Sequence, residues 1–451
     1  MRRKKEVVLS FESCDDGMPK VVRDYRSRYQ RFSQILDANE DIFSAIHQDI
    51  QGISTGGPTG RGGDYTTENI FRALIVQQCE GLSFRDVVIR IGNEPFLQDF
   101  LRMRKKAVMD FTFLNKCSVA IRPETWQHVN ELLGQYGVAQ DMVHPNVIRT
   151  DTTAVDSNIH YPTDASLLWD AWRVAARLLV RGRDLDPASC PHRFHDRKIK
   201  KLYLYITRYI SSTSKKRQRR VKASFRTLIE RTERIVAIAE GFCASAATHG
   251  NVDLASVALE LKAYLPAMKT VTDTTRRAQL NHETVPARER VFSIFEPHTE
   301  LIKRGRRGKP VEFGHKVLLC QSVEKFITDY HVYEKQQADC ALTESVITRH
   351  KRLFGTAPEV LAADKGFCPD SETYAELEQK VGTLAIPKRM QDFADKVLAH
   401  WQAFRAGIEG IISALKRAFR LVRCYFKGFK GFASAVGLGV LCHNLIVLAE
   451  H

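Results

Sequence analysis

The chain has 451 residues, 44% of them apolar, and 68 Lys+Arg against 52 Asp+Glu give a formal net charge of +16. That length and composition exclude a disordered or fibrous chain and call for two or three modules with packed cores. The positive excess favours a polyanionic partner, most simply nucleic acid.

The ten cysteines are scattered, and no two lie within four positions, so no CxxC zinc or redox pair is present. The run Cys190, His192, His195 has no second half and reads as no metal site. The start, MRRKKEVVLSFESCDD, is basic but has no long apolar region behind it, unlike a secretory signal. The most apolar stretch, 432–449, contains Ser434, His443 and Asn444 and reads as a buried helix. The expectation is a cytoplasmic, nucleoid-associated protein with no membrane partner.

In chain order, residues 1–64 form a polar N-terminal segment ending in the Gly-rich linker GISTGGPTGRGGDY at 52–65. Residues 65–140 read as short helices. One begins at Thr67, one is capped by Ser83 in SFRD, one follows Pro95, and one runs from Pro123 to Leu133. Gly and Ser turns between them fit a helix-turn-helix-like DNA-binding domain and a plain helical bundle equally well. The segment 141–165 opens a different module, since VIRTDTTAV (147–155) is a strand by its β-branched residues.

Residues 166–288 carry helix-spaced Leu, Ala and Trp and form a basic helical insertion. Within 193–234, 15 Lys+Arg face 3 Asp+Glu, centred on SKKRQRRVK with Lys215, Lys216, Arg217, Arg219 and Arg220. Tyr203, Tyr205, Tyr209 and Phe225 interleave with these cations, as in a surface that grips phosphates and stacks on unpaired bases.

Residues 289–451 return to strands at RVFSIF (290–295), PVEFGHKVLLCQ (310–321) and KFITDYHVYE (325–334). A helix near 341–353, a strand at PEVLAAD (358–364), a helix at 370–380 and a strand at TLAIPKR (383–389) follow, with one long helix over 392–420. The basic turn KRGRRGK (303–309), with Arg304, Arg306 and Arg307, is a second DNA-contact candidate. The order of elements is that of an α/β fold with helices packed on a sheet.

Three acids stand out. Asp151 lies within the first strand and Asp364 ends the strand EVLAAD, the kind of position where open α/β sheets form clefts. Glu409 lies on the 392–420 helix, where Arg405 and Lys416 fall within about 40° of it, beside an apolar stripe. Three converging carboxylates would repel one another unless cations joined them. Mg²⁺ takes oxygen ligands, and two such ions about 4 Å apart serve in-line attack at a phosphodiester. Taken singly, a strand Asp is more commonly a turn or edge residue, and a helix Glu beside Arg and Lys a solvated ion-pair face. The triplet in this order on this βα pattern is what points to a site.

In this combination the chain resembles DDE-type insertion-sequence transposases of the broad group around insertion sequences 4 and 5. The resemblance rests on Asp151 in RTDTTAVDSNIHYPTD, on Asp364 in ADKGF, and on Arg405, Glu409 and Lys416 in R-x3-E-x6-K. SIFEPHTELIKRG, PVEFGHK, AIPKR and LSFRDVV are similar to the same group. The family's longer motif carries a Tyr where this chain has Gln402.

The resemblance implies an RNase H-like mixed sheet flanked by helices, with an N-terminal helical domain and a large helical insertion after the first strand. It implies a triad of Asp151, Asp364 and Glu409 holding two Mg²⁺ ions, for which Mn²⁺ can substitute. Arg405 and Lys416 would position backbone phosphates. The implied activity is cleavage at insertion-element ends and strand transfer into target DNA. The implied partners are terminal-repeat and target DNA and further copies of the chain, as a dimer or higher oligomer. Asp156 is the second choice for the first acid, and Asp164 is a nearby decoy. A non-cleaving DNA-binding relative and a metal-dependent nuclease without strand transfer are the alternatives.

Overall fold

The computed structural model describes residues 4, 17–53, 65–103, 106–248, 250–306, 309–388 and 396–451, with the backbone alone at 304–306, 309 and 396. The linker expected at 52–65 and Arg307 fall wholly or mostly outside these residues, as do the side chains of Arg304 and Arg306. The chain divides into two compact units, 1–157 with 314–451, and 158–313.

The first unit begins with seven helices: α1 (Lys20–Asp37), α2 (Glu40–Ile50), α3 (Thr67–Cys79), α4 (Phe84–Asn93), α5 (Pro95–Phe100), α6 (Phe111–Ala120) and α7 (Pro123–Ala139). Local chemistry sets their starts. Thr66 and Asn69 form a reciprocal capping box on α3, Ser83 caps α4, and Pro95 and Pro123 open α5 and α7. Helix α3 is buried from Thr67 to Gln78. Its Arg72 is fully buried and pairs with Glu68 at 3.0 Å and Asp37 at 2.9 Å, which removes the penalty of an unpaired interior charge.

Strand β1 (Val147–Ser157) follows, and the second unit then holds α8 (Asp164–Leu185), α9 (Asp196–Tyr209), α10 (Lys215–Ala246) and α11 (Val252–Gln279), packed on one another around Leu168, Phe225, Leu228 and Leu261. Next come β2 (Glu300–Arg306), β3 (Lys309–Ser322), β4 (Ile327–Tyr333), α12 (Thr343–Phe354), β5 (Val360–Ala362), α13 (Ser371–Lys380) and β6 (Thr383–Ala385). The chain ends with α14 (Lys396–Ala406), α15 (Ile408–Arg417), β7 (Arg423–Cys424) and α16 (Gly428–Glu450).

The α/β expectation is met by a mixed seven-stranded sheet in the order β2-β3-β1-β5-β6, with β4 on β3 and β7 on β1. β1 is antiparallel to β3 and parallel to β5 and β7. Gly314 is required in β3, because a Cβ there would lie 1.9 Å from the carbonyl oxygen of Val155. Its neighbour His315 is buried, hydrogen-bonds the Tyr333 carbonyl at 3.0 Å and packs between Phe429 and Phe432, a satisfied core histidine. α16 is long and apolar enough to cross a membrane, yet 89% of its apolar window is buried, against α1, α3, α7 and β4.

Several local expectations are corrected. RVFSIF forms no strand, because Ser293 Oγ accepts from the amides of Phe295 and Glu296 at 3.2 Å and turns the chain. A strand forms instead at Glu300–Arg306, hidden in the sequence by its charges. Two helices, α1 and α2, occupy the polar region before residue 51, and α6 adds an unexpected third. The single helix expected over 392–420 is broken at Gly407 into α14 and α15.

Candidate active site

β5 runs parallel to β1 with Arg149 opposite Ala362, so the same register continued by two residues sets Asp364 beside Asp151. β5 ends and turns at Asp364 while β1 runs on past Asp151, which leaves a cleft beyond the end of β5. Asp364 caps a 3-10 turn, Lys365–Phe367, and its Oδ1 accepts from the Gly366 amide at 2.8 Å. Thr343 on α12 anchors that turn by donating to the Phe367 carbonyl at 2.7 Å. Asp151 Oδ1 accepts from the Thr152 amide at 2.7 Å. Burial, with Asp364 and Asp339 nearby, pushes the Asp151 carboxyl up to about 6, against the pull of the Thr152 amide and Arg405.

Asp339 is an acid that the strand-end argument misses, since it sits in a short 3-10 turn of its own. Thr152 Oγ1 donates to its Oδ1 at 3.0 Å, and Lys316 on β3 donates to the same atom at 2.9 Å. Lys316 lies in the PVEFGHK segment singled out above, and only the fold reveals its partner.

Arg405 joins the third acid to the first. Its Nη1 lies 3.4 Å from Asp151 Oδ2 and its Nη2 lies 3.6 Å from Glu409 Oε1. Glu409 is 69% exposed, and Arg405 stands between it and Asp151. Among the described residues, no three His, Cys, Asp or Glu side chains gather closely enough to hold an ion. Arg405 Nε is buried without a hydrogen-bond partner, a donor with capacity to spare. Lys416 is half-buried in the last turn of α15.

Two polar side chains fasten this cleft from behind. Arg149, two residues before Asp151, is buried. It donates from Nε to Gln321 at 2.6 Å and from Nη1 to the Phe404 carbonyl at 2.6 Å, and it lies over the Phe404 ring. Gln402 donates to the carbonyls of Ala363 and Ala385, both at 3.0 Å, and so ties α14 to the ends of β5 and β6. The amide serves two carbonyls at once, and a tyrosine hydroxyl has one proton to give. Replacing Gln402 by Leu is expected to lower stability by about 1–2 kcal/mol, read as a shifted urea midpoint at unchanged slope.

The decoys are separated. Asp156 stands five residues along β1, so its side chain faces the other side of the sheet from Asp151. Asp164 is the first residue of α8, where it meets Gln279 at 2.7 Å and Arg290 at 3.0 Å. The HYPTD segment leads into that helix, with Thr163 and Ser166 forming its capping box. The basic cluster Lys215, Lys216, Arg217, Arg219 and Arg220 lies exposed on the first turns of α10. Arg217 covers Tyr209 at 4.9 Å and Arg220 covers Tyr205 at 4.5 Å, so these tyrosines are occupied within the unit.

Residues 20–118 match the family model described as Transposase domain (DUF772), and residues 293–445 match the one described as Transposase DDE domain. The chain belongs among the DDE-type insertion-sequence transposases. No curated protein and no solved structure matches it. Transposases act on DNA, in agreement with the net charge. Within this transposase Asp339, Asp364, Arg405, Glu409 and Lys416 lie inside the matched DDE segment. Asp151 lies outside both matched segments, so its place beside Asp364 comes from the sheet alone.

Proposed function

We propose that the protein cleaves DNA at the ends of an insertion element and joins the freed 3′ end to target DNA. The observation that carries this reading is the adjacency of Asp151, within β1, and Asp364, just past the end of the neighbouring parallel strand β5, in a half-buried cleft with Arg405. Both side chains offer only oxygen, the donor a hard divalent cation takes, and their mutual repulsion marks a site that gains from one. Asp151 and Asp364 would hold Mg²⁺ or Mn²⁺, with Glu409 as the third ligand. Bound there, two such ions would stabilise the charge that develops on the attacking and leaving oxygens.

The residues of the chain have their own tasks. Arg405, with an unsatisfied buried Nε, would turn from Asp151 to a backbone phosphate when the cleft is filled. Lys416 would meet a neighbouring phosphate, and Asp339 would keep Lys316 from pairing with Asp151. In the first step a water oxygen would attack phosphorus and the 3′ oxygen would leave. In the second that 3′ hydroxyl would attack a target phosphodiester, and the target strand's own 3′ oxygen would leave as a hydroxyl. The helices of 65–140, the α10 cluster and Arg304, Arg306 and Arg307 would hold DNA, and synapsis of two ends calls for two or more copies.

The reading is tested with purified protein, Mg²⁺ or Mn²⁺, and DNA flanking the coding sequence. Nicked ends and joined products are expected. Nicks without joining, when a 3′-hydroxyl donor is supplied, would leave a nuclease. The outward Glu409 favours the second reading, a non-cleaving DNA binder. Binding without nicks in either metal would establish it.

The α10 cluster makes a separate expectation. Five cations at a helix N-terminus oppose the helix dipole, and the sequence offers no acidic residue in that turn to offset them. Changing Lys215, Lys216, Arg217, Arg219 and Arg220 to Ala is expected to reduce the log–log salt slope of duplex binding by about 3–4. An unchanged slope would remove the cluster from the DNA surface.

A further inference from the structure

The second unit contains a cavity of about 390 Å³ between α8, α9, α10 and the loop before α9. Trp172 and Phe194 line it, their rings 6.4 Å apart at 79°. Trp172 is buried and stacks on Trp169, which stacks on Tyr203, so its plane is fixed. Arg193, Lys198, Arg231 and Arg234 line the same cavity and are exposed. No carboxylate lines it, and among the described residues none of these four cations has an ion pair. Other arginines of the unit do find carboxylates, Arg276 with Glu233, Arg277 with Glu283, Arg290 with Asp164.

An apolar, aromatic interior under a rim of unpaired cations asks for a ligand with a flat ring and an anion attached to it. That is a nucleotide. We propose that this cavity takes an unpaired nucleotide of a DNA strand, its base against Trp172 and Phe194 and its flanking phosphates on Arg231, Arg234 and Lys198. The inference rests on the DNA-acting role proposed above and adds the part of the substrate that this unit recognises.

A strand is favoured over a free nucleotide by what surrounds the cavity. Residues 193–234 hold 15 Lys+Arg against 3 Asp+Glu, more charge than one phosphate group needs. Arg231 and Arg234 lie on the helix that begins with Lys215 and Lys216, roughly 24 Å away at the helical rise, so α10 offers cations along a path several nucleotides long. The stacking interior is sequence-tolerant, because every base has a π face.

The test uses the full chain, without metal, and two labelled DNAs: a blunt duplex and the same duplex with a short single-stranded 3′ overhang carrying 2-aminopurine. Anisotropy gives affinity and 2-aminopurine emission reports stacking. The exposed double change Arg231→Gln with Arg234→Gln is expected to weaken overhang binding about tenfold and to reduce its salt slope by about 1.4, at about 0.7 per single-strand phosphate. Blunt-duplex affinity should stay within about twofold. Trp172→Phe, which keeps an aromatic ring in the core, should alter the 2-aminopurine signal. Equal losses on both DNAs, or no loss on either, would overturn the proposal, as would free dAMP filling the cavity while the overhang does not. The readout needs no cleavage. An Asp364→Asn protein that binds the overhang like the unaltered chain isolates this inference from the catalytic one.

Discussion

Asp151→Asn and Asp364→Asn are each expected to lower DNA cleavage by about 10³-fold, or about 4 kcal/mol of barrier, with DNA affinity held within about twofold. Asn keeps the shape and the oxygen that accepts from the Thr152 or Gly366 amide, so only the charge is lost. The same change has a consequence for stability that a merely structural acid would not show. Burial and two neighbouring acids push Asp151 up to about 6, about two units above the ordinary carboxylate value of 3.8. Keeping it ionised therefore costs the metal-free fold on the order of 3 kcal/mol. In EDTA, the native state binds the extra proton between about pH 4 and 6, so this group's contribution to stability falls as pH rises through that window. It then stays low at neutral pH. The Asn variant escapes the loss and should melt higher than the unaltered chain at pH 7. A variant inactive in cleavage and more stable in EDTA would show a site that trades stability for function. Lower stability in both variants would mean that these acids hold the fold together, and the catalytic assignment would fail.

The parts of this site that could be read from the sequence are those with a local signature. β-branched runs gave β1, β3 and β4, and the strand-end position of Asp364 follows from EVLAAD running into a glycine turn. The cap Ser83 placed the start of α4, and Pro123 at the first helical position placed that of α7. What was hidden depends on partners far along the chain. Asp339 has no periodic pattern around it, and its role appears only when β3 brings Lys316 and β1 brings Thr152 to it. Gln402 reads as a departure from a family motif, and its use appears only when the ends of β5 and β6 present two carbonyls to it. Ser293 defeated the strand expected at RVFSIF through two short-range hydrogen bonds that outweigh β propensity. The helix expected over 392–420 carries Gly407 and Gly410, and periodicity alone cannot say which of them breaks it.

Gly407 breaks it because of Arg149. A Cβ at 407 would lie 2.1 Å from Arg149 Nη1 and 2.9 Å from Cζ. The guanidinium cannot step aside freely, since Gln321, the Phe404 carbonyl and the Phe404 ring hold it. Gln321 is itself buried and fixed by donating to the Lys325 carbonyl at 2.9 Å. The break between α14 and α15 is thus moulded on a residue two positions from Asp151, and Glu409 sits two positions beyond the break. Gly407→Ala is expected to cost about 1–3 kcal/mol by overpacking. Arg149→Ala is expected to cost about 3 kcal/mol, because Gln321 and the Phe404 carbonyl each lose a donor. Combined, the two changes should fall short of their sum by about 1 kcal/mol or more, since the added methyl group no longer meets a guanidinium. Arg149→Lys should lie between, as one ammonium cannot span both acceptors and stack on the ring. Each single change should reduce cleavage about tenfold or more at unchanged DNA affinity, through Glu409 and Arg405, which the break positions against Asp151. Additive stabilities would show that Gly407 and Arg149 act independently. A loss of binding equal to the loss of cleavage would show that the break shapes the DNA surface and not the acids.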